Sequence, residues 1–140
     1  MTTTQPSPTE APVELRFAEG IPGFPDHTRF TLVELADDGA FQLLQSLDDE
    51  NVAMIVTTPW LFFPDYEMEI PDDAQAELGL GAPEDAVVLS AVTLDASQER
   101  FHVNLLGPFV VHRETGHGRQ LILSDSDHPV RATVDLTWVN

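Results

Sequence analysis

The sequence contains no cysteine and no lysine. The first absence excludes disulfides, thiolate metal ligands and thiol nucleophiles. The second leaves six arginines as the whole basic complement against 24 acidic side chains, a formal net charge of −18 over 140 residues. So acidic a surface repels phosphate backbones and anionic lipid, which argues against direct nucleic-acid or membrane contact, and it attracts a basic partner. An acidic proteome in a saline cytoplasm would produce the same balance, so composition alone leaves both origins open. No apolar run reaches membrane-spanning length and the amino terminus is not basic-then-apolar, so the cytoplasm is the expected compartment.

Catalytic patterns are also missing. There is no phosphate-binding glycine loop, no GxSxG elbow and no HExxH. His27, His102, His112, His117 and His128 lie in separate segments. The one grouping of interest is His112, Glu114 and His117 around a glycine-containing turn, which keeps a small-ligand or metal-binding hydrolytic β-barrel open as the alternative. Solvated turn residues are the simpler reading, and a non-enzymatic binding module with no cofactor is the expectation.

What is present is a series of short segments with strand character. The length suits one domain, and 42% hydrophobic residues are enough to fill its core. Residues 1–12 are Thr/Pro-rich without apolar periodicity and read as a disordered tail, leaving 13–140 as the domain. Val13–Phe17, Arg29–Leu35, Phe41–Leu47, Val52–Thr58, Tyr66–Ile70, Ala86–Leu94, Phe101–Leu105, Pro108–Arg113 and Arg119–Ser124 read as strands, with Pro129–Val139 as a possible edge. Asp38-Gly39 marks one hairpin, and Gly116 with Gly118 marks the tight turn of another. The segment from Gly20 to Asp26 reads as a shaped loop anchored by Phe24. Asp73–Leu78 is the single helix candidate, with Asp72 as N-cap and Gly79 as its stop. Together these predict an all-β, mainly antiparallel, barrel-like domain with one short helix near residues 73–78.

The densest stretch is Pro59-Trp60-Leu61-Phe62-Phe63-Pro64-Asp65-Tyr66-Glu67, which holds four of the eleven aromatic residues in seven positions. Its two prolines argue for extended backbone, with Trp60 and Phe62 on one face and Phe63 and Asp65 on the other. On this reading Trp60 and Phe62 belong to the core. Phe63, Asp65, Tyr66, Glu67 and Glu69, with Asn104 and Leu106, are the candidate partner-binding residues.

The segments GIPGFPD (20–26), FQLLQSLDD (41–49), NVAMIVTTPWLFFPDYEMEIPD (51–72), PEDAVVLSAVTL (83–94) and VNLLGPFVVHRETGHGRQLILSDSDHPVR (103–131) resemble the FliW family of flagellar assembly factors, in the family's order and over nearly the whole chain after the tail. Gly107, His112 and His128 stand where the family often has alanine, asparagine and tyrosine. The resemblance implies a small, cytoplasmic, non-enzymatic β-barrel protein, expected to be monomeric when free. It further implies that the protein binds the carbon storage regulator CsrA, opposes its repression of flagellin translation, and binds flagellin in a partner switch.

Overall fold

The structure is a computed structural model that describes residues 2–3, 14–21, 23–35, 41–95, 97, 99–123 and 128–135. Its strands are β1 (Thr2–Thr3), β2 (Leu15–Phe17), β3 (Arg29–Glu34), β4 (Gln42–Ser46), β5 (Ala53–Thr57), β6 (Met68–Glu69), β7 (Ala86–Asp95), β8 (Arg100–Val103), β9 (Phe109–His112), β10 (His117–Gln120) and β11 (Ala132–Asp135), with one α-helix, α1 (Asp72–Leu78). The strands β7, β5, β4, β3, β2, β10 and β9 pair in that order, and β9 pairs again with β7 to close a ring. Closure leaves the ring itself without an edge, while β8 and β11 extend the sheet from β7 with β11 outermost among the described residues. All pairings are antiparallel except β2 with β10.

Period-two patterning explains why this barrel has a core on both sides of its wall. On β7, Val87 and Leu89 point into the barrel with Phe17, Phe30, Leu44 and Phe109. Ala86, Val88 and Val92 point out, and join Trp60, Phe62, Tyr66, Ile70, Leu78 and Phe101 in a second apolar cluster. A strand buried on both faces reads as a nearly continuous apolar run, as Ala86–Val92 does before Thr93 and Leu94 emerge. The aromatic stretch, β6 and α1 therefore serve as an outer cover for this wall.

β7 also sets the position of the site. β8 pairs with Val92–Asp95 and β9 with Ala86–Leu89. Residues 104–108 thus pass alongside only two positions of β7, Ser90 and Ala91, and the chain must bulge there. The bulge leaves the ladder after Asn104, whose N–H still donates to the Ala91 carbonyl at 3.0 Å.

Several local expectations need correction. The aromatic stretch is not extended: Pro59–Leu61 forms a single 3-10 turn, with Thr58 extended before it. A proline costs nothing at the first position of such a turn, because its missing N–H would have no partner there anyway. The N-cap of α1 is Pro71, one residue earlier than expected, with Asp72 and Asp73 in the first turn and Gly79 left-handed at the C-cap. Ile21, only 4% exposed, anchors the loop after β2, whereas Phe24 is 39% exposed. The two residues bridge each other in a tight hairpin that sends Phe24 out against the His27 ring. Within the expected disordered tail, Thr2–Thr3 pairs with Met68–Glu69. Residues 4–12, the Asp38-Gly39 turn, Val13, 124–127 and 136–139 lie outside the described residues.

Gly118 has a role different from the turn residue expected of it. It lies in β10, facing Val111 on β9 and Phe17 on β2. A Cβ placed there would meet a Val111 methyl at 2.7 Å, the Val110 carbonyl oxygen at 2.9 Å and the Phe17 ring at 3.0 Å. The ring-closing seam thus depends on a missing side chain. Gly118→Ala is expected to destabilise the fold by about 1–3 kcal/mol through overpacking. Urea unfolding would check this, with Gly81→Ala, whose Cβ meets nothing closer than 3.5 Å, as the tolerated control.

Candidate partner interface

The segment leaving the aromatic stretch alternates strictly. Asp65, Glu67 and Glu69 are exposed, and Tyr66, Met68 and Ile70 are buried. Extended backbone repeats its side-chain direction every second residue, so Glu67 and Glu69 stand about 7 Å apart on the same side. Among the described residues these carboxylates pair with no arginine; the ion pairs are Arg16–Glu14, Arg29–Asp48, Arg100–Asp95 and Arg119–Glu77. The row is therefore uncompensated negative charge on a rigid support.

Tyr66 is that support, and its expected place at the surface is a correction: it is 4% exposed. The alternation that sends the glutamates to water sends the phenol inward. Its hydroxyl donates to the Leu105 carbonyl at 2.7 Å, and its own carbonyl accepts from the Trp60 indole N–H at 2.6 Å. Both aromatic polar tips are thus satisfied, as buried tyrosine and tryptophan require. The two rings lie 5.3 Å apart. Burial pushes the Tyr66 phenol far above its ordinary pKa of 10.

The Tyr66 hydrogen bond brings the acidic segment to the bulge after β8, so two groups of residues separated by nearly forty positions in the sequence become neighbours. Asn104 is half-buried and shapes the bulge: its side-chain oxygen accepts from the N–H groups of Leu106 and Gly107 at 3.1 and 2.8 Å. With its oxygen so engaged, Asn104 positions Leu106 rather than offering that oxygen to a partner. Leu106 is itself half-buried against the outer core. Phe63 is likewise half-buried there, while Trp60 and Phe62 are core as expected.

Sequence reading missed a third strip of this surface. The Leu105 N–H donates to the Pro129 carbonyl, and the Leu123 N–H to that of Leu106. His128 packs edge-on against the Tyr66 ring, centroids 4.7 Å apart, and hydrogen-bonds the Glu67 carbonyl at 2.7 Å. Ile122 and Val130, 63% and 53% exposed, flank these contacts. An isolated leucine-rich segment gives no sign of which side chain is wet; only the pairing with residues 105–107 shows it. The surface thus combines exposed carboxylates with exposed aliphatic groups.

The alternative metal site is not formed. His112 is buried, and its Nδ1 accepts from the N–H groups of Glu114 and Thr115 at 3.1 and 3.4 Å. Its lone pair there closes the turn. No cluster of three or more potential ligands occurs among the described residues. No helix among them is long and apolar enough to cross a membrane.

Comparison with known proteins agrees with the fold. The profile described as FliW protein matches residues 2–134. A flagellar assembly factor FliW from Clostridium beijerinckii is 36% identical over 115 residues, covering 82% of each chain. One from Bacillus subtilis is 33% identical over 115 residues, covering 82% of this chain and 80% of its own. A crystal structure of the flagellar assembly factor FliW superposes with a TM-score of 0.80 at 26% identity, over 86% of this chain and 84% of that one.

Tyr66 allows a clean test of this architecture. It is the single tyrosine of a chain with no lysine and no cysteine, so no other side chain has an ordinary pKa between about 9 and 12. The raised folded-state value means its contribution is fully present below about pH 10, where the unfolded phenol is still protonated, and is lost as pH rises beyond that. Unfolding free energy should fall by up to about 1.4 kcal/mol per pH unit above pH 10. Tyr66→Phe should be less stable by about 1–2 kcal/mol at neutral pH and lack this alkaline limb. Urea unfolding from pH 8 to 11.5 measures both.

Proposed function

Because the chain belongs to the FliW family of flagellar assembly factors, we propose that it is a non-enzymatic regulator of flagellar assembly that acts by binding other proteins. Its first partner on this reading is CsrA, whose RNA binding it opposes, so that repression of flagellin translation is relieved. Its second is newly made flagellin, which captures the factor and returns CsrA to its RNA. The protein works in the cytoplasm and is a monomer when free.

The observation that carries this reading is the uncompensated row of Asp65, Glu67 and Glu69 beside the Leu106 bulge. A basic RNA-binding protein is drawn toward such a surface from a distance, with attraction that weakens as the Debye length falls to about 8 Å at physiological salt. The half-buried Phe63 and Leu106 supply the apolar contacts that hold a complex once it has formed. Tyr66 acts as a positioning residue, since its ring lies beneath the row.

Charge reversal probes the row without touching the core. Asp65→Arg combined with Glu67→Arg should leave the unfolding midpoint within about 0.5 kcal/mol of the parent, because both side chains are exposed. It should weaken CsrA binding by about tenfold or more, chiefly by slowing association. Calorimetry and stopped-flow mixing with purified CsrA measure this. Unchanged affinity in a folded variant would remove the acidic row from the interface, and no complex with CsrA or flagellin at micromolar concentration would overturn the function itself.

A further inference from the structure

The few cations of the chain are gathered rather than spread. Arg16 on β2 lies directly across from Arg29 on β3, and His117 on β10 lies across from Arg16 on the other side. Their neighbours Leu15, Phe17, Phe30 and Gly118 face the barrel interior, so period-two alternation turns all three outward together, and all three are exposed. Arg119, two residues after His117, stands on the same side and pairs with Glu77 of α1 at 3.5 Å. Three of the six arginines thus share one outer face in a chain of net charge −18. Like charges directly opposite on paired strands destabilise a sheet, so folding alone gives no reason to set Arg16 against Arg29. Between this row and the end of α1 runs a groove of about 490 Å³, lined by Arg16, Thr28, Arg29, Glu77, Leu78 and His117.

We propose that this groove binds the phosphate group of a small phosphorylated molecule. A guanidinium fork matches oxyanions, and a phosphate has enough acceptor oxygens to meet Arg16 in the middle of the row with Arg29 and His117 about 5 Å to either side. A carboxylate, with two oxygens, is matched by a single fork. Glu14 takes the Nε of Arg16 at 2.7 Å, and Asp48 takes one terminal nitrogen of Arg29 at 3.1 Å. These contacts hold each guanidinium in place and leave it further N–H donors. Both pairs are at the surface, where an ion pair yields readily to a competing anion. The groove falls within the range of about 300–1,000 Å³ typical of small-molecule sites, and Thr28 and Leu78 give the organic part of the ligand a mixed wall. Net charge decides against a larger occupant: a nucleic acid would bring a long run of phosphates against −18, whereas a single phosphate meets only the row. The groove shares no residue with the acidic row, so the proposal stands apart from the reading of that row.

The test titrates the full chain with inorganic phosphate and with pyrophosphate, followed by NMR, with sodium chloride of equal ionic strength as the blank. Backbone shifts should centre on residues 16–18, 28–29, 77–78 and 117–119, with a Kd of about 1 mM or tighter for phosphate and a lower one for pyrophosphate. Arg16→Gln should weaken binding by about tenfold or more without lowering the urea midpoint, because it also removes one of two opposed charges. Arg16→Lys keeps the charge but loses the fork, and should weaken binding as well. Arg29→Gln gives a second, independent variant of the same row. Asp65→Arg with Glu67→Arg should leave the footprint in place. Shifts that sodium chloride reproduces, a footprint outside the groove, unchanged affinity in Arg16→Gln and Arg29→Gln, or an RNA oligonucleotide that occupies the same residues more tightly than phosphate would each overturn the proposal.

Discussion

The hydrogen bond from the Tyr66 hydroxyl to the Leu105 carbonyl ties together parts of the molecule that the chain keeps far apart. On one side of it stands the aromatic stretch, fastened by the Trp60 indole to the Tyr66 carbonyl. On the other is the bulge between β8 and β9, which exists because residues 104–108 cannot follow the ladder of β7. A buried phenol without an acceptor would cost the stability that a small domain has little of. With its acceptor, it fixes the depth at which the following residues leave the core. Glu67 and Glu69 are outside because Tyr66 and Met68 are inside.

The outer cluster gives this constraint its functional meaning. A closed barrel buries its own interior and needs no cover, yet here the β7 wall is apolar on both sides. Trp60, Phe62, Tyr66 and Ile70 cover its outer face, and the cover carries the carboxylates on its far side. On the proposed function, stability and recognition are opposite faces of one segment. Glu69 stands on a strand and Asp65 on the turn before it, and buried Tyr66 and Met68 alternate with the charges.

Much of this was legible in the sequence because it is local. The alternation from Tyr66 to Ile70, the two-sided run from Ala86 and the glycine stop at Gly79 all follow from period and propensity, and each is present. The exposure of Asp65, Glu67 and Glu69 was legible for the same reason. What was not legible depends on partners distant in sequence. The acceptor of the Tyr66 hydroxyl at Leu105 lies 39 positions away, and Gly118 looks like a turn until Phe17 and Val111 close around it. The 3-10 turn at Pro59 was missed because proline excludes helix interiors but suits helix starts. Ile122 and Val130 carry no signal of exposure in a sequence where every neighbouring aliphatic is equally fit for the core.

The central claim is that the face built over Tyr66, comprising the acidic row and the Leu106 bulge, is where the basic partner sits. Hydrogen–deuterium exchange of the chain with and without CsrA tests it most directly, because backbone protection reports contact without altering any residue. The account predicts slower exchange in peptides covering residues 64–70 and 103–107 when CsrA is bound. Protection confined to the β9–β10 hairpin and the loop after β2, with residues 64–70 unchanged, would contradict it.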